Sequence, residues 1–300
     1  YVYLPLNRKT VLYDLFSVRN RNFRSHNHIL KNDEEELGRY YFDQAINDVE
    51  ILIKECYSRT SMMISKINND FRNKILKSSI EVLSSFDTNE FVKQIASSSS
   101  ISDIKKTKKS FIKIAREIEL LSPDEESIYD KFFQDYIDEL TSIKDNKEIR
   151  FEIIAKFQDI SRIKKIVSMA EEMEMQKEQY LKPIELFLGT INDFIKTADD
   201  EKELKIDEYG NLYFQTIYSS DKISVQNLSS GEKQLVIFFA NLIFRVKGNS
   251  SGIFVVDEPE ISLHLSWQKT FVEKALNINK NIQLIFATHS PELIGKYRNK

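Results

Sequence analysis

The sequence predicts an α/β fold: a parallel sheet flanked by helices, carrying a large inserted α-helical bundle or short coiled-coil domain. Three observations predict it. No glycine occurs between Gly38 and Gly189, and that stretch is rich in Lys, Glu, Ile and Leu, the composition of uninterrupted helix. After residue 200 the apolar period falls from helical spacing towards two. Short apolar runs at 252–256 and 282–287 then alternate with helical segments, the pattern of parallel strands joined by crossovers. The expected domains are residues 1–30, a remnant of an N-terminal lobe, residues 31–200, the helical insertion, and residues 201–300, a C-terminal α/β lobe.

Taken in order, Val2, Tyr3 and Leu4 before Pro5 read as a strand. Residues 31–36, Lys-Asn-Asp-Glu-Glu-Glu, open a helix with Asn32 or Asp33 as cap and acids in the first turn; it is expected to run to about Ser84. A second helical stretch is expected from about Asn89 to a loop at the serine run 97–100, and a third from after Ser102 to near Ser122. Ser122, Pro123, Asp124, Glu125 and Glu126 mark another helix start. In residues 147–181, Ile149, Ile153, Phe157, Ile160, Ile163, Val167, Ala170 and Met173 recur by threes and fours, one apolar stripe for packing in a bundle. Pro183 is expected to end that helix, which resumes over 184–195. Leu204 and Ile206, the turn Tyr209-Gly210-Asn211, and residues 212–218 read as strand, turn and strand. Ile223 and Val225 suggest a further short strand. Helices at 235–246 and 266–277 then separate it from the two apolar strands, a β-α-β-α-β ending.

Composition excludes several classes. With 41% apolar residues a core can form. Forty-three basic against 46 acidic residues give a net charge of −3, against a globally basic nucleic-acid binder. The single cysteine, Cys56, excludes an intrachain disulfide framework or a Cys-rich zinc module and fits a reducing cytoplasm. The longest apolar run, residues 235–244, is interrupted by Asn241 and falls short of the roughly 20 residues of a membrane helix.

Four motifs carry the chemistry. Leu-Ser-Ser-Gly-Glu-Lys-Gln (228–234) stands where a loop opens a helix. It reads two ways: small residues that let backbone N–H groups meet an anion at a helix N-terminus, or a helix capped by Ser229 or Ser230 with Glu232 in its first turn. Asp257 and Glu258 follow a buried apolar strand, at the end where open α/β sheets bind ligands. There Asp257 could hold Mg²⁺, directly or through water, and Glu258 could polarise a water for attack on a phosphoryl group; the plain alternative is a strand ending in a polar loop. Ile-Ser-Leu-His (261–264) links the carboxylates to the next helix, which Ser262 or Ser266 could cap and Trp267 could help pack. Ala-Thr-His-Ser-Pro (287–291) follows the last strand; His289 could donate to a phosphate oxygen or be structural.

In this order the strings resemble, respectively, the signature motif, the Walker B motif with catalytic glutamate, the D-loop and the switch histidine of ABC-type ATPases. The spellings Asp-Glu-Pro-Glu, Leu-His and Thr-His-Ser-Pro are most similar to those of soluble SMC-like and OLD (overcoming lysogenisation defect) ATPases, and the modest helical insert resembles the ATPase subunit of Septu-type and retron-associated anti-phage defence systems. The resemblance implies two subunits sandwiching ATP head to tail. It implies that Ser229, Ser230, Gly231 and Glu232 bind the nucleotide of the opposite subunit. It further implies that Asp257 supports Mg²⁺, that Glu258 is the general base, that Ser262, Leu263 and His264 communicate across the dimer, and that His289 senses the γ-phosphate.

One departure matters. A Gly-x-x-x-x-Gly-Lys-[Ser/Thr] phosphate loop is absent; the nearest glycine pair, Gly248 and Gly252, is four apart and lacks the lysine. The loop is expected upstream of Tyr1, the chain to be N-terminally truncated, and these 300 residues to be inactive alone. The expected partners are a second copy or higher oligomer and an effector such as a nuclease, with no membrane. The basic run Lys105-Lys106-Thr107-Lys108-Lys109, with Lys113 and Arg116, could follow a nucleic-acid backbone or be a solvated helix face. Two other functions compete: a DNA-repair ATPase whose output is DNA binding, and an inactive interaction module.

Overall fold

The computed structural model describes residues 2–4, 34–81, 100–117, 122–146, 151–197, 202–216, 218, 220–246 and 252–295. The expected Asn32 or Asp33 cap, the helix from Asn89, most of the serine run and Ile149 lie outside the described residues. Most of the described chain is helical, with two small sheets. It forms two compact units: Tyr1–Ser61 with Leu181–Lys300, and Met62–Tyr180. These limits fall inside two long helices, where no compositional break marks them.

The unit of residues 62–180 is built from parts of α1 (Glu34–Glu81) and α4 (Phe151–Thr197) with α2 (Ser100–Glu117) and α3 (Pro123–Asn146). The predicted stripe is its seam: Ile153, Phe157, Ile160 and Val167 of α4 pack with Ile104 and Phe111 of α2 and with Phe133, Tyr136 and Leu140 of α3. Further along, Ala170 and Met173 meet Ile67 and Phe71 of α1. Ser122 caps α3 as its sequence predicts, the Glu125 carboxylate accepting the Ser122 N–H at 2.9 Å and its hydroxyl at 2.8 Å. Within the basic run, Lys108 pairs with Asp130 at 2.8 Å and Arg116 makes a two-pronged pair with Glu126, while Lys105, Lys106, Lys109 and Lys113 are exposed.

Pro183 does not end α4, which continues to Thr197. Its nitrogen has no proton for the carbonyl four residues earlier, a defect of about 3 kcal/mol in a helix interior. Burial of Ile184, Phe187, Ile191, Phe194 and Ile195 over the next three turns offsets it. Because Pro183 itself is exposed, Pro183→Ala loses no packing. It is expected to stabilise the chain by about 1–3 kcal/mol, read as a melting temperature several degrees higher.

The other unit holds the sheets. β2 (Lys202–Ile206), β3 (Leu212–Thr216) and β4 (Lys222–Ser224) form an antiparallel meander. Its first turn uses Gly210 at φ 84°, and Asp207 accepts the N–H groups of Tyr209 (2.9 Å) and Asn211 (2.8 Å). The Asn211 side chain foremost, with these backbone N–H groups, holds the Asp207 carboxyl below its ordinary value. Buried Asn192 of α4 ties β2 in, accepting the Leu204 N–H at 2.7 Å and donating to its carbonyl at 3.1 Å.

The parallel sheet has the order β1 (Val2–Leu4), β5 (Gly252–Asp257), β6 (Ile282–Ala287). The expected β-α-β-α-β ending is therefore corrected. The strand at 222–224 pairs with β3, a few residues away, because antiparallel neighbours need only a short turn, and β1 is the third parallel strand. The helix expected over 235–246 is α5 (Ser230–Ala240) followed by a π-helical turn at Asn241–Arg245, where buried Asn241 donates to the Ile237 carbonyl at 2.7 Å. Phe254 and Val256 of β5 are fully buried beneath Phe238 of α5 and Phe271 of α6 (Leu265–Ile278), and Trp267 of α6 donates its indole N–H to the Phe194 carbonyl at 2.6 Å.

Candidate functional site

The start of α5 is a capping box. Ser229 accepts the Glu232 N–H, and the Glu232 carboxylate accepts the Ser229 N–H at 2.9 Å and its hydroxyl at 2.7 Å. Glu232 is 2% exposed and also pairs with Lys202 of β2, so it acts inside the chain. Ser229 is exposed and Ser230 partly so. Gly231 is buried for a reason the motif does not state: a Cβ there would stand 2.2 Å from the Ser262 carbonyl oxygen. Gln234, one turn on, donates to the Pro259 carbonyl at 2.7 Å. Two contacts thus bind the signature-like helix to the loop that follows β5.

That loop begins at Asp257, the half-buried last residue of β5. Glu258 follows at φ 43°, in the left-handed region, where it is the only non-glycine among the described residues. Such a conformation costs an L-residue about 1–2 kcal/mol. The cost is sustained because the Glu258 N–H donates to the Ala287 carbonyl at 2.7 Å, at the end of β6, and its carbonyl receives the Ile261 N–H at 3.3 Å. Ser262 lies against Gly231, Leu263 is buried, and exposed His264 caps α6, its Nδ1 meeting the Ser266 hydroxyl at 2.7 Å and the Ser266 N–H at 3.4 Å. The cap is therefore this imidazole and not Ser262 or Ser266; a ring nitrogen two atoms beyond Cβ reaches the amide as an Asn oxygen does.

The loop after β6 closes on the same place. Ser290 caps the short helix α7 (Pro291–Ile294), and the exposed His289 has its backbone N–H bound to Glu260 Oε1 at 2.6 Å, with the Ser290 N–H at 3.1 Å. Burial pushes the Glu260 carboxyl up, but hydrogen bonds from Thr288 and from the backbone of Glu260, His289 and Ser290 outweigh it and hold the group below its ordinary value. Gln268 of α6 donates to the carbonyls of Leu263 (2.9 Å) and Glu260 (3.3 Å) and accepts the Ser290 hydroxyl at 2.6 Å. All four motifs thus meet through direct contacts. The motif reading passed over Glu260, Gln234 and Gln268; the one local signal was the acid at the end of Asp-Glu-Pro-Glu.

No three His, Cys, Asp or Glu side chains converge as a metal cage among the described residues. A lone strand-end carboxylate fits Mg²⁺, which takes one or two protein carboxylates and fills its remaining positions with phosphate oxygens and water. A separate groove of about 260 Å³, lined by Asp48, Ile51, Leu52, Glu55 and Arg245, contains none of the motif residues. Among the described residues no helix is long and apolar enough to cross a membrane.

Residues 66–295 match the family model described as "AAA domain, putative AbiEii toxin, Type IV TA system". The chain belongs to this AAA-domain family. Similar curated proteins include a "Retron Vc95 probable ATPase" of Vibrio cholerae serotype O1 biovar El Tor, 36% identical over 111 residues, which is 34% of this chain and 22% of that protein. They also include a "Retron Ec83 probable ATPase" of Escherichia coli, 27% identical over 196 residues, 54% of this chain and 36% of that protein. The chain therefore spans about a fifth to a third of these relatives' length. Among solved structures, the Smc head domain with a coiled coil and joint from Pyrococcus yayanosii is 13% identical, over 85% of this chain and 60% of that one, with a TM-score of 0.28. Membership of the AAA-domain family covers every motif residue from Ser229 to His289.

Proposed function

We propose that the chain is part of an ATP-hydrolysing subunit of the ABC/SMC-like class that controls a separate effector, a nuclease, in anti-phage defence. Membership of the AAA-domain family and the relatives named as retron ATPases support this reading. The observation that carries it is Glu258: a carboxylate held in a costly backbone conformation at the end of a parallel strand, beside Asp257 and against the His289 loop. Strain of this kind persists where its neighbours over-determine it, and it clusters at active sites.

In the proposed sandwich, the exposed Ser229 and the partly exposed Ser230 reach the nucleotide of a second copy, while buried Gly231 and Glu232 shape the turn that presents them. When bound, Mg²⁺ would neutralise part of the charge on the γ-phosphoryl group of ATP during in-line displacement. Asp257 is the residue that would hold the ion. Glu258 orients the attacking water and takes its proton on a carboxylate oxygen. His289, free at the surface, meets the γ-phosphate, and His264 faces the other copy.

The test is ATP turnover by the natural full-length protein, with Mg²⁺ and after chelation, beside size exclusion with and without ATP. Mg²⁺-dependent turnover and an ATP-dependent dimer are expected. A protein that neither binds nor hydrolyses ATP defeats the reading and leaves residues 228–292 as an interaction scaffold. Turnover stimulated by DNA ends with no second protein present moves the output to DNA.

A further inference from the structure

Glu260 has no role in the motif reading, yet its carboxylate holds the two loops of the site together. We propose that Glu260 is a positioning residue that, through Gln268, locks the His289 loop to the D-loop-like segment 261–264, so that the state of one loop is imposed on the other and on the signature-like helix. This inference rests on the ATPase reading above.

Two successive backbone N–H groups, of His289 and Ser290, converge on the single oxygen Oε1 of Glu260. Consecutive amides aimed at one anion form a concave nest, and a charged acceptor roughly doubles the strength of such bonds. The His289 ring is exposed, so its aim depends on how its backbone is held. Gln268 completes the circuit: its amide nitrogen serves the Leu263 and Glu260 carbonyls, and its oxygen takes the Ser290 hydroxyl. Leu263 follows Ser262, whose carbonyl presses on Gly231, and Gln234 of the same helix holds the Pro259 carbonyl. A displacement of His289 therefore pulls on Glu260 and Gln268, and through residues 259–263 on the turn that presents Ser229 and Ser230. Glu260 acts through these neighbours and not on the reacting atoms.

The test compares wild type, Glu260→Gln, Glu260→Ala, Ser290→Ala and the double variant Glu260→Ala/Ser290→Ala in the full-length protein. It reads kcat and KM for ATP, the melting temperature, and amide hydrogen exchange over residues 287–294. In Glu260→Ala, exchange of that segment is expected to quicken about tenfold. Its kcat should fall about 100-fold with KM for ATP within about threefold, because misplacing a positioned group by about 1 Å has that cost. Glu260→Gln keeps a carbonyl acceptor and should recover about tenfold of the loss. Ser290→Ala should add little to Glu260→Ala, since both open the same circuit. Turnover by Glu260→Ala within twofold of wild type overturns the proposal. So does a loss of kcat that follows a fall in melting temperature with no change in local exchange. A wild type without ATP turnover defeats the ATPase reading separately; unchanged exchange in Glu260→Ala then defeats the lock as well, while quickened exchange upholds it.

Discussion

Glu258→Gln is expected to lower kcat for ATP about 1,000-fold while leaving ATP binding intact, within the 100- to 10,000-fold that general acid–base catalysis contributes. Glutamine keeps the size of the side chain and the backbone bonds to Ala287 and Ile261, so the loop stays in place and only the proton acceptor is lost. Single-turnover hydrolysis measures the chemical step, and size exclusion shows whether the variant accumulates as an ATP-bound dimer. Turnover within tenfold of wild type would exclude Glu258 as the base. Glu258→Gly gives a second reading of the same residue. It relieves the φ of 43°, worth about 1–2 kcal/mol to an L-residue, so it should be at least as stable as wild type while equally inactive. A carboxylate retained at an energetic cost and dispensable for folding is the mark of a residue kept for its chemistry.

Gly231→Ala carries the largest expected effect on stability. The added methyl would stand 2.2 Å from the Ser262 carbonyl oxygen and 3.3 Å from the Trp267 ring, so α5 and the 261–264 loop have to part. Overpacking of this kind costs about 3 kcal/mol, and with a backbone atom as the obstacle the neighbour cannot swing aside as a side chain would. A melting temperature lower by about 10 °C is expected for a unit of this size. Ser262→Gly should not rescue it, because the clash involves the main chain and not the serine hydroxyl. An unchanged melting temperature would show that the two elements separate freely. The variant should also lose ATP-dependent dimerisation, since the turn bearing Ser229 and Ser230 moves with the helix.

Much of the site was legible in the sequence where its physics is local. Ser229 or Ser230 with Glu232 in the first turn was one reading of a capped helix start, Ser122 before Pro123 announced another, and the threefold and fourfold spacing from Ile153 to Met173 marked a buried seam. What the sequence hid depends on segments far apart in the chain. Glu260 meets His289 across 29 residues, and Gly231 meets Ser262 across 31, and nothing in either segment declares the other. Pro183 misled because a breaker is judged from its own turn, whereas its helix is held by the buried residues that follow. The strand at 222–224 was drawn into the wrong sheet because three residues carry no sign of their partner.

The pairing of β1 with β5 has a consequence for how the chain is made. Val2 lies opposite Phe254, 252 residues later, so β1 has no partner in the parallel sheet until that much more chain has been translated. At roughly 5–20 residues per second that interval is about 13–50 s, long compared with the microseconds in which helices form. The helices between residues 100 and 180 can associate during this time, while the parallel sheet, and with it the correct seat of Asp257 and Glu258, is completed after them. The seat of Asp257 and Glu258 would then form only in molecules whose synthesis has passed β6, whatever the state of the helices made before it.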